Sequence, residues 1–240
     1  MPTPIKFQSQ VINVTRHSPD VATYEFRYLD RRPRFKAGQF LHLTLDDFDS
    51  ATFWPDSRVF SIASGVANRD IIRLTISAKG QYTTRILDEL EVGRQVWMKG
   101  PYGDFIVKTD PEKETVFIAG GTGIAPFVAF MEDALVQGCN DKVWLHYGAR
   151  ESRLLNFKAL SDRCAVEIPN FNVSYYLEEN TGHEAYSGRI HLERICDQLE
   201  DVHNTTFYLC GPIEMVQSFS QCLQEDYRVL VSEIKLDDWE

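Results

Sequence analysis

Residues 116–126 read Val-Phe-Ile-Ala-Gly-Gly-Thr-Gly-Ile-Ala-Pro. An apolar run of strand character breaks into glycines, and a helical pattern follows at once. Glycines at 120, 121 and 123 allow positive φ and remove Cβ atoms, so the backbone can approach a pyrophosphate while the amides opening the next helix point at its charge. The segment has neither the Gly-x-Gly-x-x-Gly fingerprint nor the Gly-Lys-Ser/Thr of a Walker loop, and a strand-to-helix turn used only for packing would read the same way. What flanks the segment decides between the two.

Before it, short β-rich runs at 7–14, 21–28, 40–45, 59–64, 71–77 and 96–99, with turns such as Ala37-Gly38 and Pro101-Tyr102-Gly103 between them, predict an antiparallel barrel or sandwich. One short helix, 83–90, carries Ile86, Leu87 and Leu90 on one face. The polar stretch 108–114, with a proline inside it, reads as a linker. Beyond it, strands at 115–119, 143–147, 173–176, 206–210 and 230–234 alternate with helices at 125–137, 154–163, 190–199 and 214–225. That alternation predicts right-handed βαβ units and an open parallel sheet, whose ligands sit at the carboxyl ends of the strands. Gly120-Gly121-Thr122-Gly123 and Cys210-Gly211-Pro212 both fall at such ends. The expected organisation is two domains, 1–110 and 111–240.

Composition narrows the function classes. A net charge of -10 opposes binding to a polyphosphate backbone, which draws its affinity from clustered Lys and Arg, so nucleic acid is not an expected partner. No apolar run reaches the roughly 20 residues of a membrane span, and the N-terminus lacks a signal-peptide pattern. The five cysteines, at 139, 164, 196, 210 and 222, form no Cys-x-x-Cys pair and fit reduced cytoplasmic thiols. They also lack the Cys-x4-Cys-x2-Cys spacing of a plant-type iron-sulfur cluster, and the six histidines include no His-Glu-x-x-His, so no metal is expected. His146 reads as a satisfied core histidine, Met215 as helix packing, and the acids Asp237, Asp238 and Glu240 as solvated.

Two further constellations carry chemistry. In Arg58-Val59-Phe60-Ser61, alternation sets Arg58 and Phe60 on one face and Val59 and Ser61 on the other. About twenty residues later, Gly80-Gln81-Tyr82-Thr83 opens the short helix with a glycine, amides and a hydroxyl, which suits an anion; Thr83 as a plain N-cap is compatible with that role.

These segments, with Gly100-Pro101-Tyr102-Gly103, Tyr147-Gly148-Ala149-Arg150 and Cys210-Gly211-Pro212, occur in the order found in the ferredoxin-NADP reductase superfamily, and the match spans nearly the whole chain. The resemblance implies an FAD-binding antiparallel β-barrel followed by an α/β domain that binds NADH or NADPH. It implies that Arg58 binds the flavin diphosphate with Gly80, Gln81, Tyr82 and Thr83 on its other side, that Val59 and Phe60 line the flavin, with Phe60 against the ring, and that Ser61 bonds near flavin N5. Gly121, Thr122 and Gly123 would hold the dinucleotide pyrophosphate, and Cys210 with Gly211 would border the nicotinamide. Family members often end in an aromatic that covers the flavin, and Trp239 resembles it; an aromatic that merely anchors the terminus would look alike. Ser61, Cys210 and Trp239 are thus the residues expected nearest the chemistry. One departure is Phe60, where the family usually has Tyr.

The implied activity is hydride transfer from NAD(P)H to FAD, with electrons passed to a separate acceptor: a ferredoxin, a flavodoxin, an oxygenase component or a free flavin. A protein that keeps the fold and uses nucleotide only as a regulatory ligand is the alternative from another class. Arg150, Ser152 and Arg153 could hold a 2'-phosphate, but Glu151 stands among them, so NADH is favoured.

Overall fold

The computed structural model describes residues 3–68, 70–179 and 185–237. Trp239, Asp238 and Glu240 lie outside them. The chain divides into two compact units, 1–106 with 125–130, and 107–124 with 131–240.

In the first unit, alternation drives one antiparallel sheet. Its strands are β1 (Ile5–Ser18), β2 (Val21–Tyr28), β3 (Phe40–Thr44), β4 (Arg58–Ser61), β5 (Ile71–Ser77) and β6 (Gln95–Tyr102), in the order β4-β3-β6-β1-β2-β5. Every second residue points inward: Ile72, Leu74 and Ile76 of β5 are fully buried and pair with Phe26, Tyr24 and Ala22 of β2. The two edges approach just beyond β4, where Ala63 N–H bonds Arg73 C=O at 2.9 Å and Arg73 Nη1 returns to Ala63 C=O at 3.2 Å, nearly closing the barrel. Helix α1 (Gln81–Glu89) sends Tyr82, Ile86 and Leu87 into the barrel core, and Leu90 follows them.

Pro101 and Tyr102, expected in a turn, continue β6. Strand β1 ends at Ile5, opposite Gly100, so no ladder partner needs the N–H that Pro101 lacks, while Tyr102 still pairs with Phe40 of β3. The turn begins only at Gly103, with φ of 95°.

The second unit is a parallel sheet of β7 (Glu114–Gly120), β8 (Val143–Ala149), β9 (Phe171–Leu177), β10 (Tyr186–Ser187), β11 (Thr205–Cys210) and β12 (Ile234–Asp237), in the order β10-β9-β8-β7-β11-β12. The helices are α2 (Ala125–Gln137), whose residues 125–130 group with the first unit, α3 (Lys158–Glu167), α4 (Leu192–Cys196) and α5 (Ile213–Glu225). β7 is buried along its whole length, as the central strand of a doubly covered sheet must be. Val116, Ile118, Phe207 and Leu209 pack with Ile195 of α4 and Val216 and Leu223 of α5.

Several boundaries differ from the sequence pattern for physical reasons. Leu230 and Val231 are apolar yet 66% and 68% exposed, because residues Val231–Glu233 form a 3-10 turn and the strand starts only at Ile234. The third helix begins at Lys158 rather than 154: Tyr147 Oη accepts from Asn156 N–H and donates to Leu154 C=O, both at about 3 Å, holding that stretch out of the helix. α4 is shorter than 190–199, its tail tightening into i→i+3 bonds at Gln198 and Leu199. Glu114, assigned to the linker, is a buried strand residue; one carboxylate oxygen accepts from Trp144 Nε1–H at 3.0 Å and the other from Glu200 N–H at 2.8 Å.

Candidate functional site: two cradles for diphosphates

In the barrel, register sets the faces. Phe60 and Arg58 stand opposite Leu41 and Leu43, both fully buried, and Phe60 packs partly buried against the core. Val59 and Ser61 stand opposite His42 and Phe40 on the other face, where Tyr102 stacks on Phe40 at 5.9 Å and meets the His42 ring edge at 5.3 Å.

Arg58 and the 80–83 turn, remote in sequence, converge on one ring. The Arg58 guanidinium carbon lies 4.6 Å from the Tyr82 ring centroid, a cation–π distance, and Nη1 donates to Asp56 Oδ1 at 2.7 Å and Ser57 C=O at 2.8 Å. Tyr82 is fixed by its hydroxyl, which donates to Asp56 C=O at 2.9 Å and accepts from Leu45 N–H at 3.1 Å. Beneath Arg58 is thus a rigid platform, which cuts the entropy lost when a long side chain is held in one place.

Thr83 is not the N-cap. Gly80 takes that position in an extended conformation any residue could adopt, and Thr83 is the third residue of the helix. Its hydroxyl accepts from Lys79 N–H at 2.8 Å and Gly80 N–H at 3.0 Å and donates to Gly80 C=O at 3.0 Å. The hydroxyl therefore shapes the turn, and its proton is committed to the backbone. The first helical bond runs from Thr84 N–H to Gly80 C=O, so the amides of Gln81, Tyr82 and Thr83 precede it and are the donors offered to an anion.

In the second unit the strand order reverses between β7 and β11, the crevice where doubly wound sheets take their ligands. Both glycine segments leave the sheet there. Their glycines serve different needs. Of the three glycines after β7, only Gly121 takes positive φ, 55°, in the 3-10 turn Gly121–Ile124 that leads into α2. Gly120 and Gly123 are there for space: a Cβ on Gly123 would lie 2.4 Å from the Cys210 carbonyl oxygen, and one on Gly120 would lie 2.6 Å from Pro212 Cδ. On Gly211, with φ of 149°, a Cβ would lie 2.9 Å from the Gly120 backbone and 2.9 Å from Met215 Cε.

Cys210 ends β11, 7% exposed, with its thiol 3.4 Å from Asp237 Oδ2 on the neighbouring strand. Asp237, expected to be solvated, is as buried as Cys210, because parallel pairing sets the two side by side. Alternation along Ile234-Lys235-Leu236-Asp237 would set Asp237 on the face of exposed Lys235, and only the partner strand says that an acid is buried there. Two residues upstream in β11, Tyr208 Oη accepts from Lys108 N–H at 3.1 Å and donates to Lys108 C=O at 3.0 Å, fastening the incoming chain to this strand. Nothing in the sequence marked that bond. His146 is buried with Nδ1 at 3.1 Å from Tyr176 Oη, but Nε2 has no partner among the described residues, so it is only half satisfied; burial pushes its pKa down to about 4.

Arg150 is exposed just past the end of β8. Arg153 is held by Glu151, Nε to Oε2 at 2.7 Å and Nη2 to Oε1 at 3.0 Å, and this hydrogen bond keeps the Glu151 carboxyl below the usual range.

The donor sets fit their ligands. A helix N-terminus beside a platform-mounted arginine suits a flavin diphosphate, and a glycine cradle that a Cβ would fill suits a second pyrophosphate. Among the described residues, no helix is long and apolar enough to cross a membrane.

Residues 8–106 match the Oxidoreductase FAD-binding domain and residues 117–221 the Oxidoreductase NAD-binding domain. The Phenol hydroxylase P5 protein of Acinetobacter pittii is 29% identical, aligned over 91% of this chain and 62% of its own length. Reductase component 1 of the terephthalate 1,2-dioxygenase of a Comamonas species is 27% identical over 89% of this chain and 62% of its length. The chain thus spans 62% of the length of each of these curated relatives. Among solved structures, the fold resembles the Amycolatopsis cytochrome P450 reductase GcoB, with a TM-score of 0.84 and 23% identity, covering 100% of this chain and 71% of that one. A ferredoxin NADP+ reductase from Neisseria gonorrhoeae with bound FAD and NADP gives a TM-score of 0.80 at 20% identity, covering 97% of this chain and 98% of that one. The chain thus carries an Oxidoreductase FAD-binding domain followed by an Oxidoreductase NAD-binding domain, with structural neighbours in the ferredoxin-NADP reductase family.

Proposed function

We propose that this chain is an FAD-dependent NADH reductase that feeds a separate protein acceptor, with a flavin domain at 1–110 and a nucleotide domain at 111–240. The observation that carries the reading is the presence of two independent diphosphate cradles, one in each unit. The relatives named reductase component of terephthalate 1,2-dioxygenase and of phenol 2-monooxygenase support an oxygenase component as acceptor. Five free cysteines fit a cytoplasmic setting.

Arg58 would hold the flavin diphosphate with the guanidinium edge that Asp56 and Ser57 do not use, and the amides of Gln81 and Tyr82 would close on it. Val59 and Phe60 would line the ring and Ser61 would hydrogen-bond its edge. Gly121, Thr122 and Gly123 would admit the dinucleotide pyrophosphate, with Cys210 and Gly211 beside the nicotinamide. For Trp239 both readings stand, a cover over the flavin face or an aromatic anchor. FAD, once bound, supplies the hydride acceptor; the protein's part is to position the reactants, which accounts for most of such catalysis.

The test is direct. Flavin released by acid from the purified protein is chromatographed, and the intact protein is mixed anaerobically with NADH and, separately, with NADPH. FAD and a bleached flavin band are expected; FMN alone, or no bleaching by either dinucleotide, refutes the proposal.

A further inference from the structure

Beyond β8, the sequence offers cations and acids together, and the structure shows how they are spent. Glu178 N–H bonds Ala149 C=O at 3.2 Å and Glu179 N–H bonds Arg150 C=O at 2.8 Å, so the chain leaving β9 runs beside the chain leaving β8. Three arginines and three glutamates gather there. Arg153 is forked onto Glu151, Arg189 Nε lies 3.3 Å from Glu178 Oε1, and Glu179 adds its field to Arg153.

The strand after the phosphate loop's helix is where doubly wound folds meet the adenosine ribose: an acid there accepts the 2'-hydroxyl of NADH, and an arginine takes the 2'-phosphate of NADPH. Here both are present and bonded to each other. We propose that Glu151 is the residue that makes this site select NADH, by holding Arg153 in a bidentate pair and placing its own charge where a 2'-phosphate would sit. To bind, that phosphate, carrying roughly -1.5 to -2 charges, would have to break a fork-to-fork bond and settle among carboxylates. This rests on the reading that the second unit takes a nicotinamide dinucleotide at the β7–β11 crevice.

The test is calorimetric titration of the flavin-loaded protein with adenosine 5'-monophosphate and with adenosine 2',5'-bisphosphate, alongside flavin bleaching by NADH and NADPH. The wild type should favour the monophosphate. Glu151→Gln, with Glu151→Ala as a second variant, should shift the affinity ratio toward the bisphosphate by about tenfold. Adding Arg153→Ala should remove that gain, and the NADPH to NADH ratio of kcat/KM should move in parallel. A wild type that already prefers the bisphosphate, a ratio unmoved within about twofold, or a gain that survives without Arg153 overturns the proposal while leaving NADH bleaching, and so the reductase reading, intact. Absence of bleaching by either dinucleotide would sink both.

Discussion

Replacing Gly123 with Ala adds one carbon where two backbone segments already touch. The new Cβ would stand 2.4 Å from the Cys210 carbonyl oxygen, 2.6 Å from its carbon and 2.7 Å from Gly211 Cα. All three neighbours are backbone, so no side chain can rotate away. The oxygen must retreat by about 0.6 Å merely to reach 3.0 Å, a separation that real Cβ atoms rarely undercut. Overpacking of this kind costs about 1 to 3 kcal/mol, which in a chain of this size lowers Tm by roughly 2 to 12 °C. Because the displaced segments are those assigned to the pyrophosphate and the nicotinamide, the functional loss should exceed the stability loss: misplacement approaching 1 Å costs on the order of a hundredfold in rate. Thermal unfolding and stopped-flow flavin reduction by NADH read the two effects separately. Gly80→Ala, whose Cβ meets nothing within 4 Å, is the control and should change the melting point little. A Gly123→Ala protein with wild-type Tm and wild-type reduction rate would refute the close approach of the two loops.

Three more outcomes are expected. Arg58→Ala should lose a charged phosphate contact worth about 1.5 to 3 kcal/mol, lowering FAD affinity by one to two decades in a fluorescence titration while the protein stays folded. Tyr208→Phe should cost about 1 kcal/mol in denaturant unfolding, since both bonds to the Lys108 backbone go while that backbone can turn to water. His146, buried and neutral, has a folded-state pKa of about 4 against an ordinary 6.5. The unfolded chain therefore takes up a proton that the folded one refuses, so stability present above pH 6.5 is lost as pH falls toward 4, by up to a few kcal/mol. His146→Gln should flatten that acid limb of the stability profile, and an unchanged slope would contradict it.

Much of the fold was legible because burial and periodicity agree along it. Residues 21–28, 71–77 and 125–137 form the elements their patterns predict, and the glycine segments emerge at the crevice the strand alternation required. Where the reading slipped, a turn or a side-chain partner outside the periodic pattern had decided the matter. Leu230 and Val231 look like strand and are exposed; Asp237 looks solvated and is buried beside Cys210; Tyr147 holds 154–156 out of a helix. At the barrel site, the types of Arg58, Tyr82 and Thr83 could be read, but not that Tyr82 carries Arg58 or that the Thr83 hydroxyl is consumed by the turn.

The interlocked glycines also bear on folding order. The Gly120–Gly123 turn is complete as a motif near the middle of the chain, but its shape is set against Cys210 and Gly211, which arrive almost ninety positions later. Until Thr205–Cys210 pairs alongside β7, the backbone of Cys210 and Gly211 against which the turn is set is not in place. Such non-local pairing is slow because loop closure precedes any reward. Competence to bind dinucleotide should therefore appear at the end of folding rather than with the helix the motif introduces, and a chain cut before residue 205 would carry the signature without the site.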